Sequence, residues 1–358
     1  MSEMEEEDFV PPLPTQHEPT TSAKPLLQSV LSRNLPPKHG NPGKSTMATN
    51  TLTPLLWNQF FDEKRELHIG EDVFTVYLKG SRGPIFYLLH GGGYSGLTWA
   101  CFAKSLCDQI ECRIVAPDLR GHGASHSEDE EDLSVSRQVR DIADIFDKLF
   151  EKDQGDVSVC VIGHSMGGAL AVHVVHEKVL KANVVGLIVI DVVEGTAMES
   201  LSGMVHFLNS RPPTFSSYEN AIKFCLKSAM TRNSTAARIS MPSQLREITE
   251  NQLTWRIDLA KTEPHWRGWF EGLSSKFLDC SPPKLLALAG VDRFDRDLTI
   301  AQMQGKFQTC LLPKVGHCVQ EDSPENLADE IARFAVRFRF ATSKVGMVPS
   351  VFPERRPF

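Results

Sequence analysis

The sequence is short of several features that would each point to a different kind of protein. Its apolar runs are brief. The stretch 184–190 is typical at seven residues, far below the roughly 20 needed to cross a bilayer. The N-terminus is acidic (Glu3, Glu5, Glu6, Glu7, Asp8) and lacks the basic start and apolar core of a secretory signal. No basic stripe is present, and the net charge of -7 disfavours nucleic acid as a partner. The eight cysteines include no C-x-x-C pair. In a 358-residue chain without a signal they are expected to be reduced thiols, in the cytoplasm or the nucleus. Neither a membrane nor a metal is called for, and a monomer is the default expectation.

What the chain does have is 41% hydrophobic residues, enough for a sizeable core. The first fifty residues stand apart, with eight of the 22 prolines and little apolar periodicity. Such a segment cannot offset its ordering entropy by burial, so residues 1–50 are expected to be a disordered tail. Pro11 and Pro14 form a P-x-x-P within it, most simply part of a solvated tail. A folded domain is expected over 51–345, followed by an irregular tail over 346–358.

Between these ends strands and helices alternate. Strands are expected at 73–77, 85–89, 113–116, 157–162, 184–190, 284–289 and 308–312. Helices are expected at 97–109, from Ser134 as N-cap with apolar residues at 135, 139, 142, 146 and 149, at 166–178, and from Ser323-Pro324 onward. Continuous apolar strands between amphipathic helices imply an α/β fold with a mostly parallel sheet covered on both faces. Residues 191–283, 93 in all, are too many for one crossover, so 195–283 should contain a helical cap over the carboxyl edge of the sheet, where ligands bind in such folds.

The chemistry concentrates at Gly163-His164-Ser165-Met166-Gly167, a G-x-S-x-G between an expected strand and an expected helix. That context defines a nucleophile elbow, with Ser165 exposed on a tight turn. His90-Gly91-Gly92-Gly93 follows the strand 85–89. A glycine N–H there, with Gly92 preferred, would join that of Met166 in an oxyanion hole. His317, in the loop before the last helix, has the basicity to take a serine proton. His90, His122 and His164 are expected to orient backbone at the same edge. His173 and His176 share a helix without a third ligand in spacing. For the acid, Asp191, Asp292 and Asp295 compete, and the commonest placement in this architecture favours Asp292.

These motifs resemble one family. The strings at 90–93, 163–169, 190–198 and 289–293, with 255–263, 266–274 and 298–307, are similar to the protein phosphatase methylesterases of the α/β-hydrolase superfamily, over about 57–352. The resemblance implies Ser165 as nucleophile, His317 as base and, from the Ile190-Asp191-Val192-Val193-Glu194-Gly195 segment, Asp191 as acid, with Asp292 a nearby loop residue. It implies hydrolysis of the methyl ester on the C-terminal leucine of the protein phosphatase 2A catalytic subunit, without a cofactor. A small-molecule carboxylesterase and a phosphatase-sequestering binding protein are the alternatives. The chain departs from animal members, which carry a long acidic insertion where 244–252 is short here. Its N-terminal tail is also unlike theirs. In the cap, Trp255, Trp266, Trp269, Met198, Met204 and Met230 are candidates for a channel, though for each of them core packing is the simpler expectation. Glu128 to Asp132 is expected to be a solvated acidic loop.

Overall fold

The computed structural model describes residues 52–153, 157–290 and 294–344. The tail expected over 1–50, Pro11 and Pro14 included, lies outside the described residues, as do 346–358. The strands in chain order are β1 (Glu63–Ile69), β2 (Asp72–Lys79), β3 (Ile85–Leu89), β4 (Arg113–Pro117), β5 (Ser158–His164) and β6 (Asn183–Ile190). After the inserted β7 (Thr214–Phe215), β8 (Leu245–Thr249) and β9 (Gln252–Trp255) come β10 (Lys284–Leu288) and β11 (Gln308–Leu311). Eight of them form one sheet in the order β1-β2-β4-β3-β5-β6-β10-β11. β2 runs antiparallel to both β1 and β4, and from β4 to β11 all pairs are parallel.

The central strands are buried on both faces because helices cover both. Side chains alternate between two cores. Ile85, Tyr87 and Leu89 of β3 join Val159 and Val161 of β5 on one side, under the helices Val135–Phe150 and Met166–His176. Phe86, Leu88, Cys160 and Ile162 face the other, under Ala100–Gln109 and Pro324–Arg337. Each fully buried large apolar side chain stabilises the fold by about 1.5–3 kcal/mol. The helix Met166–His176 is buried nearly all round, which is why its sequence is apolar without a polar face. Trp99, Trp266 and Trp269 lie in these cores, Trp255 is partly buried against the cap core, and all eight cysteines are free thiols.

Local signals differ in how they are used. Ser134 caps its helix by accepting from the Arg137 N–H at 3.4 Å. Ser323 makes no such bond, and its hydroxyl instead accepts from Asn326 Nδ2. The last helix ends at Arg337, and Phe338 just beyond it is 40% exposed. β1 is an unforeseen strand. Its Glu63-Lys64-Arg65-Glu66 run gives it little apolar pattern, and those charges keep an edge strand from pairing with other chains. The inserted segment also departs from an all-helical cap. It holds an antiparallel sheet in the order β7-β9-β8, with its own core of Phe215, Ile222, Met241, Leu245 and Leu253. β8 and β9 are the hairpin spanning the short 244–252 stretch.

A buried ion-pair group anchors the loop after β4. Arg120 is 2% exposed and donates to both carboxylate oxygens of Asp141, to Asp72 and to the Asp129 carbonyl. Replacing Arg120 with alanine would leave the buried carboxylates of Asp72 and Asp141 to share the half-buried Arg137. The expected loss is about 3–5 kcal/mol of unfolding free energy, read by urea denaturation. A loss under 1 kcal/mol would show that the carboxylates find other partners.

Candidate active site

β5 runs out at His164, the chain reverses at Ser165 with φ 53° and ψ -120°, and a helix starts at Met166. The turn is possible only because its neighbours lack side chains. A Cβ on Gly163 would fall 2.0 Å from the Gly167 carbonyl oxygen, and one on Gly167 2.3 Å from that of Leu89. Ser165 stands at the helix N-cap, yet its Oγ makes no capping bond, so the hydroxyl is not consumed by the helix. The Ser165 backbone N–H is held by the Ile190 carbonyl at 3.0 Å.

Asp191 follows β6 in another left-handed turn, φ 52°. Its N–H donates to Ala287 at 2.8 Å, and its Oδ1 accepts from the Ala289 N–H at 2.8 Å, so β10 fixes it on both sides. Its Oδ2 lies 2.8 Å from His317 Nδ1. Burial raises the Asp191 pKa, but the hydrogen bond and positive charge of His317 and the Ala289 N–H together bring it below the ordinary carboxylate value. Asp292 lies outside the described residues. Asp295 is occupied elsewhere: its Oδ1 caps the helix Arg296–Met303 through the Leu298 N–H, and its Oδ2 accepts from the Ser274 hydroxyl.

His317 is held from two sides. Its carbonyl accepts from His164 Nε2 at 2.8 Å, and the two rings lie 4.7 Å apart. The preceding Gly316 N–H donates to Asp322 at 2.6 Å. Asp322 also accepts from the Thr231 hydroxyl and from the Arg232 backbone and side chain, tying this loop to the cap. Ser165 directly follows His164, whose ring lies against that of His317, although no hydrogen bond between Ser165 and His317 is among those the described residues form.

The glycine loop is shaped by the histidines. His90 Nε2 accepts from the Leu119 N–H, and His122 Nε2 accepts from the Gly93 N–H, both at 2.9 Å. Gly93 is thereby removed as a free donor. The N–H groups of Gly92 and Met166 have no protein acceptor among the described residues, and a Cβ on Gly92 would be 3.8 Å from Met166 Sδ. His164 is a fully buried ring, brought to a pKa of about 3 by burial and then by the adjacent His317; burial likewise brings His122 to about 4. Both rings are neutral at pH 7. His173 Nε2 bonds to the Trp269 carbonyl, and no cluster suited to a metal is found among the described residues.

The sequence reading did not single out Asp322, Arg232 or Glu194. Glu194 accepts from the Gly272 and Ser274 N–H groups at 2.8 and 2.9 Å, pinning the turn after Asp191 to a helix N-terminus. Such pairings join segments about 80 residues apart and leave no local pattern. Glu130, expected in a solvated loop, forms a two-pronged pair with Arg256 of the cap.

The α/β hydrolase family model matches residues 86–330. Among solved structures, E-2-(acetamidomethylene)succinate hydrolase aligns with TM-score 0.63 at 21% identity, over 76% of this chain and 99% of that one. A Mycobacterium tuberculosis esterase aligns with TM-score 0.59 at 22% identity, over 87% and 97%. The chain is therefore an α/β hydrolase. Relatives of known designation narrow this. The probable protein phosphatase methylesterase 1 of Caenorhabditis elegans is 61% identical, over 91% of this chain and 88% of its own. Protein phosphatase methylesterase 1 of Mus musculus is 43% identical over 84% and 89%, and that of Schizosaccharomyces pombe 36% over 86% and 92%. This chain belongs to the protein phosphatase methylesterase family, carboxylic ester hydrolases of the α/β-hydrolase fold.

One charge beside the site makes stability depend on pH. Glu321 is 1% exposed, four residues after His317, and accepts from the Thr98 hydroxyl at 2.7 Å. Burial raises its pKa from 4.5 to about 7. The folded-state value exceeds the unfolded one, so the contribution is full below pH 4.5 and lost as pH rises through about 7. The wild type should lose about 3 kcal/mol between pH 4.5 and 8 that Glu321→Gln does not lose, measured by urea midpoints. Parallel stability profiles for the two proteins would refute this.

Proposed function

We propose that this enzyme hydrolyses the methyl ester on the C-terminal leucine of the protein phosphatase 2A catalytic subunit, with Ser165 as nucleophile, His317 as general base and Asp191 as the acid. The observation that carries the assignment of residues is the 2.8 Å contact between Asp191 Oδ2 and His317 Nδ1, beside a serine on a strained elbow. The substrate reading rests on the family's designation and on 61% identity to a relative carrying it.

The steps follow from the geometry. Asp191, kept ionised, accepts a hydrogen bond from His317 Nδ1–H and so leaves His317 Nε2 unprotonated toward Ser165. As Ser165 Oγ attacks the ester carbonyl, Nε2 accepts its proton, through a contact that shortens in the reacting complex. Negative charge on the carbonyl oxygen is met by the N–H groups of Gly92 and Met166, the latter at a helix N-terminus, together worth several kcal/mol. Methanol departs with the proton from the imidazolium. A water molecule, deprotonated by the same imidazole, then releases the carboxylate from the acyl-enzyme. Neutral His164 behind His317 adds no positive charge that would oppose imidazolium formation.

The test is methanol release from carboxyl-methylated phosphatase catalytic subunit. The wild type should be active. Ser165→Ala should fall by about 10⁴-fold or more, and Asp191→Asn by about 10³–10⁴-fold through the wrong tautomer. If Asp292→Asn is the inactive variant while Asp191→Asn is not, the acid is misplaced. If a nitrophenyl ester is cleaved but the methylated phosphatase is not, the substrate assignment fails and a small-molecule carboxylesterase stands.

A further inference from the structure

The cap carries a cation that no carboxylate among the described residues pairs. Arg211 follows the helix Glu194–Asn209 and is half-buried. Its guanidinium lies over the Trp255 ring, 4.2 Å from the centroid. The platform is rigid: Trp255 Nε1 donates to the Pro212 carbonyl at 2.8 Å, and Thr254 Oγ1 to the Pro213 carbonyl at 3.0 Å. The one bond of the guanidinium is Nε to the Leu208 carbonyl, long at 3.4 Å, and among the described residues no carboxylate lies within 4 Å of it. Burial lowers its pKa to about 10, and the ionisable groups that raise it in part are Tyr94 and Asp258.

Those two neighbours locate it. Tyr94 adjoins the glycine loop, and its ring packs edge-on against His164 at 5.6 Å. Asp258 is exposed and caps the turn Leu259–Thr262 through the Ala260 N–H. Leu259, the next residue, covers the glycine loop, its side chain 2.8 and 3.5 Å from where a Cβ would stand on Gly93 and Gly92. Arg211 therefore stands where the cap meets the glycine loop. Stacking on an aromatic face orients a guanidinium while leaving its edge free, and that edge matches a carboxylate in two parallel hydrogen bonds. A partly desolvated cation without a counter-charge costs stability unless a ligand supplies one.

We propose that Arg211, stacked on Trp255, is a subsite for an acidic side chain in the substrate's C-terminal peptide, upstream of the esterified residue. This rests on the reading of the substrate as a protein C-terminal ester. It gives the cap a selectivity role, since the ester itself is neutral and carries no charge for the enzyme to read.

The test uses the full chain bearing Ser165→Ala, so that ester peptides persist. Two peptides ending in leucine methyl ester are compared, differing only by aspartate or asparagine upstream, with binding followed by fluorescence anisotropy. The aspartate peptide should bind about tenfold tighter, and the preference should shrink with salt. Adding Arg211→Gln should abolish the preference, and Arg211→Lys should keep only part of it. Equal binding of the two peptides to Ser165→Ala overturns the subsite and leaves the ester reading intact. The same holds if the preference is unchanged in Arg211→Gln. Binding of neither peptide overturns the ester-peptide reading and the subsite with it.

Discussion

The site depends on one steric constraint, the close approach of β5 to the helix that follows Ser165. Backbone atoms of Gly163, Gly167 and Leu89 come within distances that no Cβ permits. That crowding forces Ser165 into a left-handed conformation unusual for a residue with a side chain. The strain is held because β3 and β6 flank β5 in a sheet buried on both faces. A serine so placed is lifted clear of its own helix cap. It sits beside a helix N-terminus whose free N–H groups favour negative charge. The candidate nucleophile and the packing of strand on helix are thus built from the same turn.

The partners of Ser165 are placed by longer chains of contacts. Asp191 is locked by two hydrogen bonds to β10, so its position follows the register of two parallel strands. His317 is held by His164 from below and, through Gly316 and Asp322, by the cap. Neutral, buried histidines serve as spacers here: His90 and His122 bond loop backbone through both ring nitrogens and His164 through one, and burial keeps them uncharged. The cap reaches the core through Arg256 on Glu130 and Leu259 over the glycine loop. The substrate contact proposed for the cap would therefore bear on elements that also hold the candidate site.

Most of the architecture was legible in the sequence. The apolar strands 85–89, 113–116 and 184–190 announced themselves because burial on both faces leaves no room for polar residues. The elbow was legible because its glycines are demanded by sterics rather than by preference. β1 was not, since an edge strand facing water carries charges that mask its period. Neither was the small cap sheet, whose β7 is two residues long and is defined only by its pairing with β9.

Local motifs by themselves single out Ser165, the glycine loop and His317 as candidates, because each sits in a short motif whose spacing is set by backbone geometry. Choosing among Asp191, Asp292 and Asp295 from those motifs alone was not possible, as each comes shortly after an expected strand in the sequence. Only the tertiary structure brings Asp191 to His317 Nδ1 and turns Asp295 to a helix cap. The reason is physical: a contact between residues 126 positions apart is fixed by strand order and packing, which no local pattern records. The Asp322 anchor and the stacking of Arg211 on Trp255 arise the same way, from segments the fold makes neighbours.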